Sequence, residues 1–501
     1  MMRVVVIGAG PAGMAAAHAA AGAGVPVLLI DSEAKLGGQY HRQSATDGTE
    51  KFALPDGVEY WAESVVWAIE PIAGGHRVHV STGPADGPGR VSRSVNTAAL
   101  VLATGAHDRA LPFPGWDLPG VVTAGAAQAL AKGQGVAIGQ RVLLSGTGPF
   151  LLPVAASLVD VGARVEAVLE ANTVLTGWLR PGEESATTEP RRGGRHTARA
   201  LAERDTTSRQ PGKLADWSRQ LSGAVTSPGK AAELAGYLGL LARQRIPYRS
   251  RQAVIAAHGD DRVEAATVAK LDVNWRVVPG SQRDVEVDAV CVGFGFTPQL
   301  ELATAVGCAV ADGFVTVDIS QATSVAGVFA AGELTGIGGA VLSEHEGTVA
   351  GTAAAIALGA RVKRPSKALR HIRTGRRFAA AMAAAYPVRS GWQSWLSDDT
   401  LVCRCEEVSC RELRSAVDEH RADGVRAVKL VSRAGLGRCQ GRICGRNVAE
   451  LAGLPEPGSA FARRPIAVPI RLAELAEADS PQAKPAELAD SPETDSREGT
   501  A

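Results

Sequence analysis

The sequence predicts an α/β chain built on two nucleotide-binding βαβ units and closed by a small helical module with paired cysteines. Three observations carry this. Two glycine loops, at Gly8 and Gly146, each follow an apolar strand run and precede a helix run. Only 4% of residues are aromatic while 57 are glycine, which suits close packing of helices on sheets. Cys403-Arg-Cys405 is followed, after 33 residues, by Cys439-Gln-Gly-Arg-Ile-Cys444. Two close pairs of thiols across such a gap are the pattern of a metal site.

The 501 residues suffice for two or three domains with their own cores. Formal charge is +1, so no global field points to nucleic acid or an anionic membrane, and the few aromatics give little support to base stacking. No run of about 20 apolar residues escapes a charge or a break, so no membrane span is predicted. Arg3 and the apolar stretch after it imitate a signal peptide, but cleavage there would destroy the Gly8 loop; a cytoplasmic protein is expected. Seven cysteines in so long a chain do not make a disulfide scaffold.

Arg3 to Ile7 reads as a buried strand, Gly8-Ala-Gly10-Pro11-Ala12-Gly13 as the loop, Met14 to Ala23 as a helix, and Val25 to Ile30 as a strand ending at Asp31. Gly8 makes the tight turn, Gly10 lets a pyrophosphate approach the backbone, and Gly13 permits close helix–strand contact. The helix start offers amides to phosphate. Asp31, 23 residues after Gly8, is placed to accept from a ribose diol.

Three later segments bear on the identity of the nucleotide. Gly37-Gly38-Gln39-Tyr40 follows the acid-ended strand. Ala98 to Ala103 is a strand run ending at Thr104-Gly105. Gly327-Val-Phe-Ala-Ala-Gly332-Glu333 repeats that logic and leads into Thr335-Gly336-Ile337-Gly338-Gly339. These segments resemble the motifs of two-dinucleotide-binding-domain flavoproteins. The resemblance implies FAD along the first loop, held by Gly8, Gly10, Pro11, Ala12, Gly13, Asp31, Gly38, Gln39, Arg42, Thr104, Gly105, Gly332, Glu333 and Gly339. It also implies a Rossmann-like FAD domain with an NAD(P)-like domain inserted. Glu333 stands where that family has Asp, one methylene longer.

Gln140 to Ser145 leads into the second loop, Gly146-Thr-Gly148-Pro149-Phe150-Leu151; a helix to about Val161 and a strand from Arg164 to Leu169 end at Glu170. Gly146, Gly148 and Glu170 are the candidate contacts of NAD(P) or another nucleotide. Leu151 replaces the third glycine, and a side chain there pushes helix from strand, so an inherited fold with a retired site competes with a working one. Ala289 to Gly293 and Gly295-Phe-Thr-Pro298 are read as the return to the first domain. Residues 180–213, with Arg191, Arg192, Arg195, Arg199, Arg204 and Arg209, read as a solvated loop. Lys230 to Arg245 reads as an amphipathic helix with Leu234, Leu238 and Leu241 on one face.

In the last module, Ser409-Cys410-Arg-Glu412 is a capping box opening a helix, and a second helix starts near Cys444, whose thiolate would gain from the positive helix end. Cys403, Cys405, Cys439 and Cys444 precede these helices and are the candidate metal ligands; Cys410 is read as a helix residue, Cys291 and Cys308 as core. Four thiolates hold zinc or a [2Fe–2S] cluster, although CxC is less usual for structural zinc. Cys-x-Cys-x33-Cys-x4-Cys resembles the bacterioferritin-associated-ferredoxin-like [2Fe–2S] domain, which implies the cluster. Disulfide reductases place a reactive pair beside the flavin early in the chain, but here no cysteine precedes Cys291.

The combined order resembles the α (A) subunits of heteromeric FAD-dependent amine and imino-acid dehydrogenases, the group of opine oxidase A, hydrogen cyanide synthase B and hydroxyproline dehydrogenase α subunits. The resemblance reaches to about residue 455. It implies an FAD domain at 1–118 and 297–362, an NAD(P)-like domain at 119–296, a connector at 363–400 and a [2Fe–2S] domain at 401–455. It also implies, as partners in a hetero-oligomer, an electron acceptor and an amino-acid-oxidase-like β subunit, with this chain relaying electrons. Two alternatives stay open: a self-contained NAD(P)H-dependent reductase of a ferredoxin-like acceptor, and an assembly scaffold with structural cofactors. No residue shows a catalytic pattern; His345, after the second glycine motif, is the candidate nearest the flavin. The tail, 456–501, carries eight acidic and two basic residues from Leu472 onward and is expected to be disordered from about 472.

Overall fold

A computed structural model of the chain describes residues 3–478 apart from 46–47, 49, 85–86, 88, 174–227 and 456. Two five-stranded parallel sheets organise it. The first runs in the order Val328–Ala330, Ala99–Leu102, Val4–Ile7, Val27–Ile30, Val58–Trp61. The second runs Tyr248–Ser250, Arg164–Glu170, Arg141–Gly146, Ala289–Gly293, Val121–Thr123. The central strands read as unbroken Val/Leu/Ile runs because helices and further sheets cover both faces. Both βαβ units predicted from sequence are present, with helices Pro11–Gly22 and Leu151–Asp160.

The chain leaves the first sheet through Ala106–Asp108 and returns through Phe296–Pro298, which pair antiparallel with His107 opposite Thr297. Antiparallel sheets flank each parallel one: Ser64–Ile72, Gly75–Thr82 and Val91–Thr97 beside the first, Gln252–His258, Ala265–Lys270 and Arg283–Glu286 beside the second. The helix Pro228–Arg243 matches the amphipathic reading in position, but of the three leucines assigned to its apolar face only Leu241 is buried; Leu234 and Leu238 are about half exposed. The arginine-rich stretch at 180–213 lies outside the described residues.

The first helix packs on its sheet and on helix Ala340–Ala357 through backbone rather than side chains. A Cβ on Gly13 would fall 1.6 Å from the Gly8 carbonyl oxygen; one on Gly347 or Gly351 would fall 2.0 or 2.1 Å from the carbonyls of Ala12 and Ala16. Gly and Ala stand where the two helices meet because nothing larger fits there.

After residue 400 the chain forms a short hairpin, Leu401–Cys403 with Val408–Ser409, and helices Cys410–Asp418, Gly424–Ser432 and Gly445–Leu451. The capping box is present, with Ser409 and Glu412 exchanging side chain–backbone hydrogen bonds. The disorder expected from about 472 does not hold for Leu472–Ala478, which is a helix; the rest of that stretch lies outside the described residues. Glu474 of this helix is buried, accepts from the Ser81 hydroxyl at 3.0 Å and pairs with Arg90 at 3.3 Å. Composition hid this anchor, because a single acid meeting a cation across the fold leaves no local pattern.

Gly351→Ala is expected to overpack the helix pair and destabilise the fold by about 1–3 kcal/mol, read as a lowered Tm with an unchanged cysteine module.

Candidate functional site

The first loop is a cleft lined by backbone. Gly8 (φ +105°) sits on the Ala103 carbonyl, and the Gly8 amide bonds Ile30. A Cβ on Gly38 would lie 2.9 Å from the Gly10 Cα, so the Gly37-Gly38 turn closes over the loop. Around Gly10, Gly105, Gly336 and Gly339 the same test meets only open space. Glycines that touch backbone on one wall and nothing on the other leave a groove in which diphosphate can approach the amides at the start of helix Pro11–Gly22. The site therefore fits an extended dinucleotide.

Asp31 accepts from the Ala9 amide and, at 2.7 Å, from that of Glu33; it stays partly exposed. Burial raises its pKa against those two amides. Beside it Arg42 donates to Glu33 at 3.2 Å and Gln39 at 3.3 Å. Thr104 donates to the Gln299 carbonyl, tying the end of strand Ala99–Leu102 to the returning strand.

Glu333 turns back on its own loop. It accepts from the Gly339 amide at 2.8 Å, and burial pushes its pKa up to about 6 against amides of Gly339 and Gly338. The extra methylene lets the carboxylate reach across the turn. Gly332 (φ +80°) lies over Ala12 of the first helix, where a Cβ would approach the Ala12 Cβ to 2.9 Å.

His345 points toward helix Ser366–Ala385 and stacks on His371 with centroids 4.5 Å apart. Burial lowers its pKa, with His371 adding to the effect. Its neighbour Glu346 reaches the glycine motif instead: 2% exposed, it accepts from the Gly332 amide at 3.0 Å, the Thr335 hydroxyl at 2.8 Å and Arg376 at 2.9 Å. The signal was helical spacing. Ser343, Glu346, Gly347, Ala350 and Gly351 share the buried face.

The second loop keeps the close contact of Gly146 with a facing carbonyl, that of Gly293, and the open space at Gly148, but differs from the first in its helix start, its third glycine position and its acid. Met14 bonds the Gly10 carbonyl in α-helical fashion, whereas Leu152 bonds Pro149 and Leu151 bonds Gly148, a tighter turn that starts the helix late. Leu151 is buried, and a Cβ on Gly293 would lie 3.4 Å from its Cδ2, so it fills the space a third glycine leaves. Glu170 is fully buried. It accepts from the Thr147 hydroxyl, the Gly148 and Asn172 amides at 2.8–2.9 Å and Tyr248 at 3.4 Å. Burial raises its pKa. Asn172 in turn donates to the Pro387 carbonyl at 3.0 Å and accepts from Trp275, so the connector lies against this acid-bearing end. An acid satisfied by four protein donors has no free acceptor to give a ribose, unlike Asp31. These residues do not fit the NAD(P) mode of binding.

The four thiols converge. Cys444 hydrogen-bonds to Cys403 and Cys439, and Cys439 to Cys405. The Cys444 bond, with amides of Gly435 and Glu406, pulls the Cys403 pKa down to about 6 against burial. Cys439 is lowered chiefly by the same thiol, and Cys444, as donor to both, is raised. Gly437 is obligatory beside Cys405, where a Cβ would lie 2.4 Å from the cysteine's own. Among the described residues no group of three or more His, Cys, Asp or Glu closes around the position of one metal ion. The four thiols supply the all-sulfur donor set of a two-iron core. Cys410 is buried at its helix start with a raised pKa, and Cys291 and Cys308 are buried.

A cavity of about 240 Å³ lies at the thiols. Cys403, Arg404, Cys405, Cys439, Ile443 and Cys444 line one side; Ala110, Trp116, Val121 to Thr123 and Val292 line the other. The thiols thus face strands Val121–Thr123 and Ala289–Gly293 of the second sheet and the segment that leads into it.

Because the Glu333 pKa is raised from 4.5 to about 6, the folded apoprotein holds that proton more tightly than the unfolded chain. This contribution to stability is present below about pH 4.5 and is lost as pH rises through about 6. Glu333→Gln should flatten that component of the apoprotein's Tm–pH profile.

Residues 2–185 and 236–365 match the family model for pyridine nucleotide-disulphide oxidoreductases, and residues 401–452 match the BFD-like [2Fe-2S] binding domain. The chain is 31% identical to the opine oxidase A subunit of Agrobacterium tumefaciens (strain Ach5), over 94% of this chain and 91% of the relative. It is 28% identical to hydrogen cyanide synthase subunit HcnB of Pseudomonas aeruginosa, over 88% and 91%. In fold it is similar to L-proline dehydrogenase from P. horikoshii, at 18% identity and a TM-score of 0.61, covering 95% of this chain and 79% of that one. Among the described residues no helix is long and apolar enough to cross a membrane. The chain is a FAD-type oxidoreductase with a [2Fe–2S] domain, and it belongs to the opine oxidase A subunit family of the pyridine nucleotide-disulphide oxidoreductases.

Proposed function

We propose that this chain is the electron-accepting subunit of an amine or imino-acid dehydrogenase. A partner subunit resembling amino-acid oxidases takes two electrons and two protons from a C–N bond, and this chain passes the electrons to an external acceptor. FAD on the first loop supplies a two-electron store that discharges one electron at a time, matched to a [2Fe–2S] centre that carries one.

The chain's own residues have separate tasks in this reading. Gly8, Gly10 and Gly13, with the amides at the helix start, hold the diphosphate; Asp31, steadied by its two amides, takes the ribose; Glu346 and Glu333 hold Gly332 and Gly339 in place. Cys403, Cys405, Cys439 and Cys444 are the cluster ligands. His345, stacked on His371, is given no proton-transfer role.

The carrying observation is the cavity at the thiols, whose far wall is Val121 to Thr123 and Val292 of the second sheet with Ala110 and Trp116 of the segment that runs from the first sheet into it. Ala110 belongs to the stretch that leaves Thr104-Gly105, so the end of the flavin-side strand leads directly to the sulfur ligands. The names of the similar proteins point the same way, since opine oxidase A, HcnB and sarcosine oxidase alpha are each a subunit by name. The second loop is not proposed as a port for NAD(P)H, because Glu170 and Leu151 close it.

Anaerobic reduction of the holo chain with dithionite should yield a two-iron paramagnetic signal. Cys439→Ser should remove that signal, keep the flavin spectrum, and slow partner-dependent dye reduction by about a hundredfold. Undiminished turnover in an assembled complex carrying Cys439→Ser would defeat the relay and favour a scaffold. Stoichiometric zinc without iron would defeat it too. NADH or NADPH should leave the flavin absorbance unchanged in the absence of partner; rapid bleaching would establish the self-contained reductase instead.

A further inference from the structure

The two parallel sheets are joined in sequence by one antiparallel strand pair, Ala106–Asp108 with Phe296–Pro298. A connection so slight is the usual place for one lobe to turn on another. The cysteine module is fastened at that pair, and Arg442 is the fastening. It lies in the short loop between Cys439 and Cys444. Its carbonyl is 2.7 Å from the His107 Nε2, on the outgoing strand, which makes that nitrogen the donor. Its guanidinium donates to Glu301 at 2.9 Å and to the Ala467 carbonyl at 3.0 Å. Glu301 opens the short helix Glu301–Ala305 after the returning strand, is almost buried, and takes a second bond from Arg464 at 3.2 Å.

One residue of the thiol loop therefore holds the outgoing strand by its backbone and the helix that follows the returning strand by its side chain. The neighbouring contacts run the same way. Arg109 pairs with Glu450 at 2.5 Å, Asn447 donates to the Ala110 carbonyl, and Trp116 to that of Leu401, both at 2.6 Å. Arg109 and Asn447 are nearly inaccessible to solvent. Buried charges of this kind add little net stability over apolar packing, yet breaking one leaves its partner unpaired, so they specify a single docked geometry.

We propose that Arg442, Glu301 and His107 form a positioning clasp that locks the thiol loop to the crossing between the lobes and so fixes the flavin-to-cluster separation and orientation. The clasp rests on the relay reading. It makes the last module a rigid part of the electron path and not a shuttling domain: one electron leaves the reduced flavin and enters the oxidised cluster without a preceding motion.

The test uses the holo chain and the variants Glu301→Gln and Arg442→Lys, each checked for flavin and iron content and for an unchanged cluster spectrum. After laser-flash photoreduction of the flavin, wild type should transfer an electron to the cluster at a rate independent of solvent viscosity. Both variants should transfer about tenfold slower or worse, with a rate that falls as viscosity rises, because the loop must now find its docked position. Wild-type rates without viscosity dependence in both variants overturn the clasp. Hydrogen–deuterium exchange supplies an arm that does not need the relay. Glu301→Gln should deprotect the amides of 106–108 and 441–444 together, leaving the first loop protected; protection unchanged at both segments overturns the clasp even if electron transfer is absent in wild type. Absent transfer in wild type with joint deprotection in the variant sinks the relay and leaves the clasp as a docking device.

Discussion

The contact of the first helix with its surroundings is made of backbone, and much of the site follows from that. Gly13 lies on the Gly8 carbonyl, Gly347 and Gly351 lie on carbonyls of the same helix, and Gly332 lies on Ala12. No side chain cushions these contacts, so no one of these segments can shift without moving another. The diphosphate groove, the late glycine motif and Glu346 are thereby held in one rigid frame. Packing of this type explains a composition rich in Ala and Gly more directly than any propensity does: small residues are what the distances permit.

The same fold pattern appears twice with opposite outcomes. At the first loop the acid is partly open and the third glycine is present. At the second, the acid is buried among a hydroxyl, two amides and a phenol, and a leucine fills the glycine's place. Closing the second loop has a structural return. Asn172 engages Pro387, and the connector's Trp395 stacks with Trp275 at 6.2 Å. Both indole nitrogens find partners there, as buried Trp requires. The second lobe thus serves as a platform for the chain that leads to the thiols.

The dock between cysteine module and lobes is built on ionic contacts, with Arg109 buried at its centre. Arg109, flanked by Arg446, has its pKa lowered to about 10 by burial and that neighbour, even though Glu450 answers it. Such an arrangement selects geometry over strength. In the relay proposed above, a fixed geometry makes the separation of the two centres a property of the fold and not of a search.

Much of the fold and part of the site were legible in the sequence. The two βαβ units, the acid-ended strands, the capping box at Ser409 and the grouping of Cys403, Cys405, Cys439 and Cys444 depend on local spacing, and local spacing is what a sequence displays. Leu151 announced that the second loop had changed. Hidden were the residues whose role depends on chain segments far apart: Glu346 rather than His345 at the glycine motif, Glu474 as an anchor within a stretch that composition marks as disordered, and Arg442 with Glu301 and His107 at the crossing. Glu301 and Arg442 are separated by 141 residues, and no periodicity links them. By itself the sequence determined which segments become strands, helices and glycine turns, because backbone sterics and apolar periodicity act over a few residues. Only the tertiary structure decided which acids stay open to a ligand and which are consumed by the protein, because burial and hydrogen-bond partners come from parts of the chain that meet only on folding.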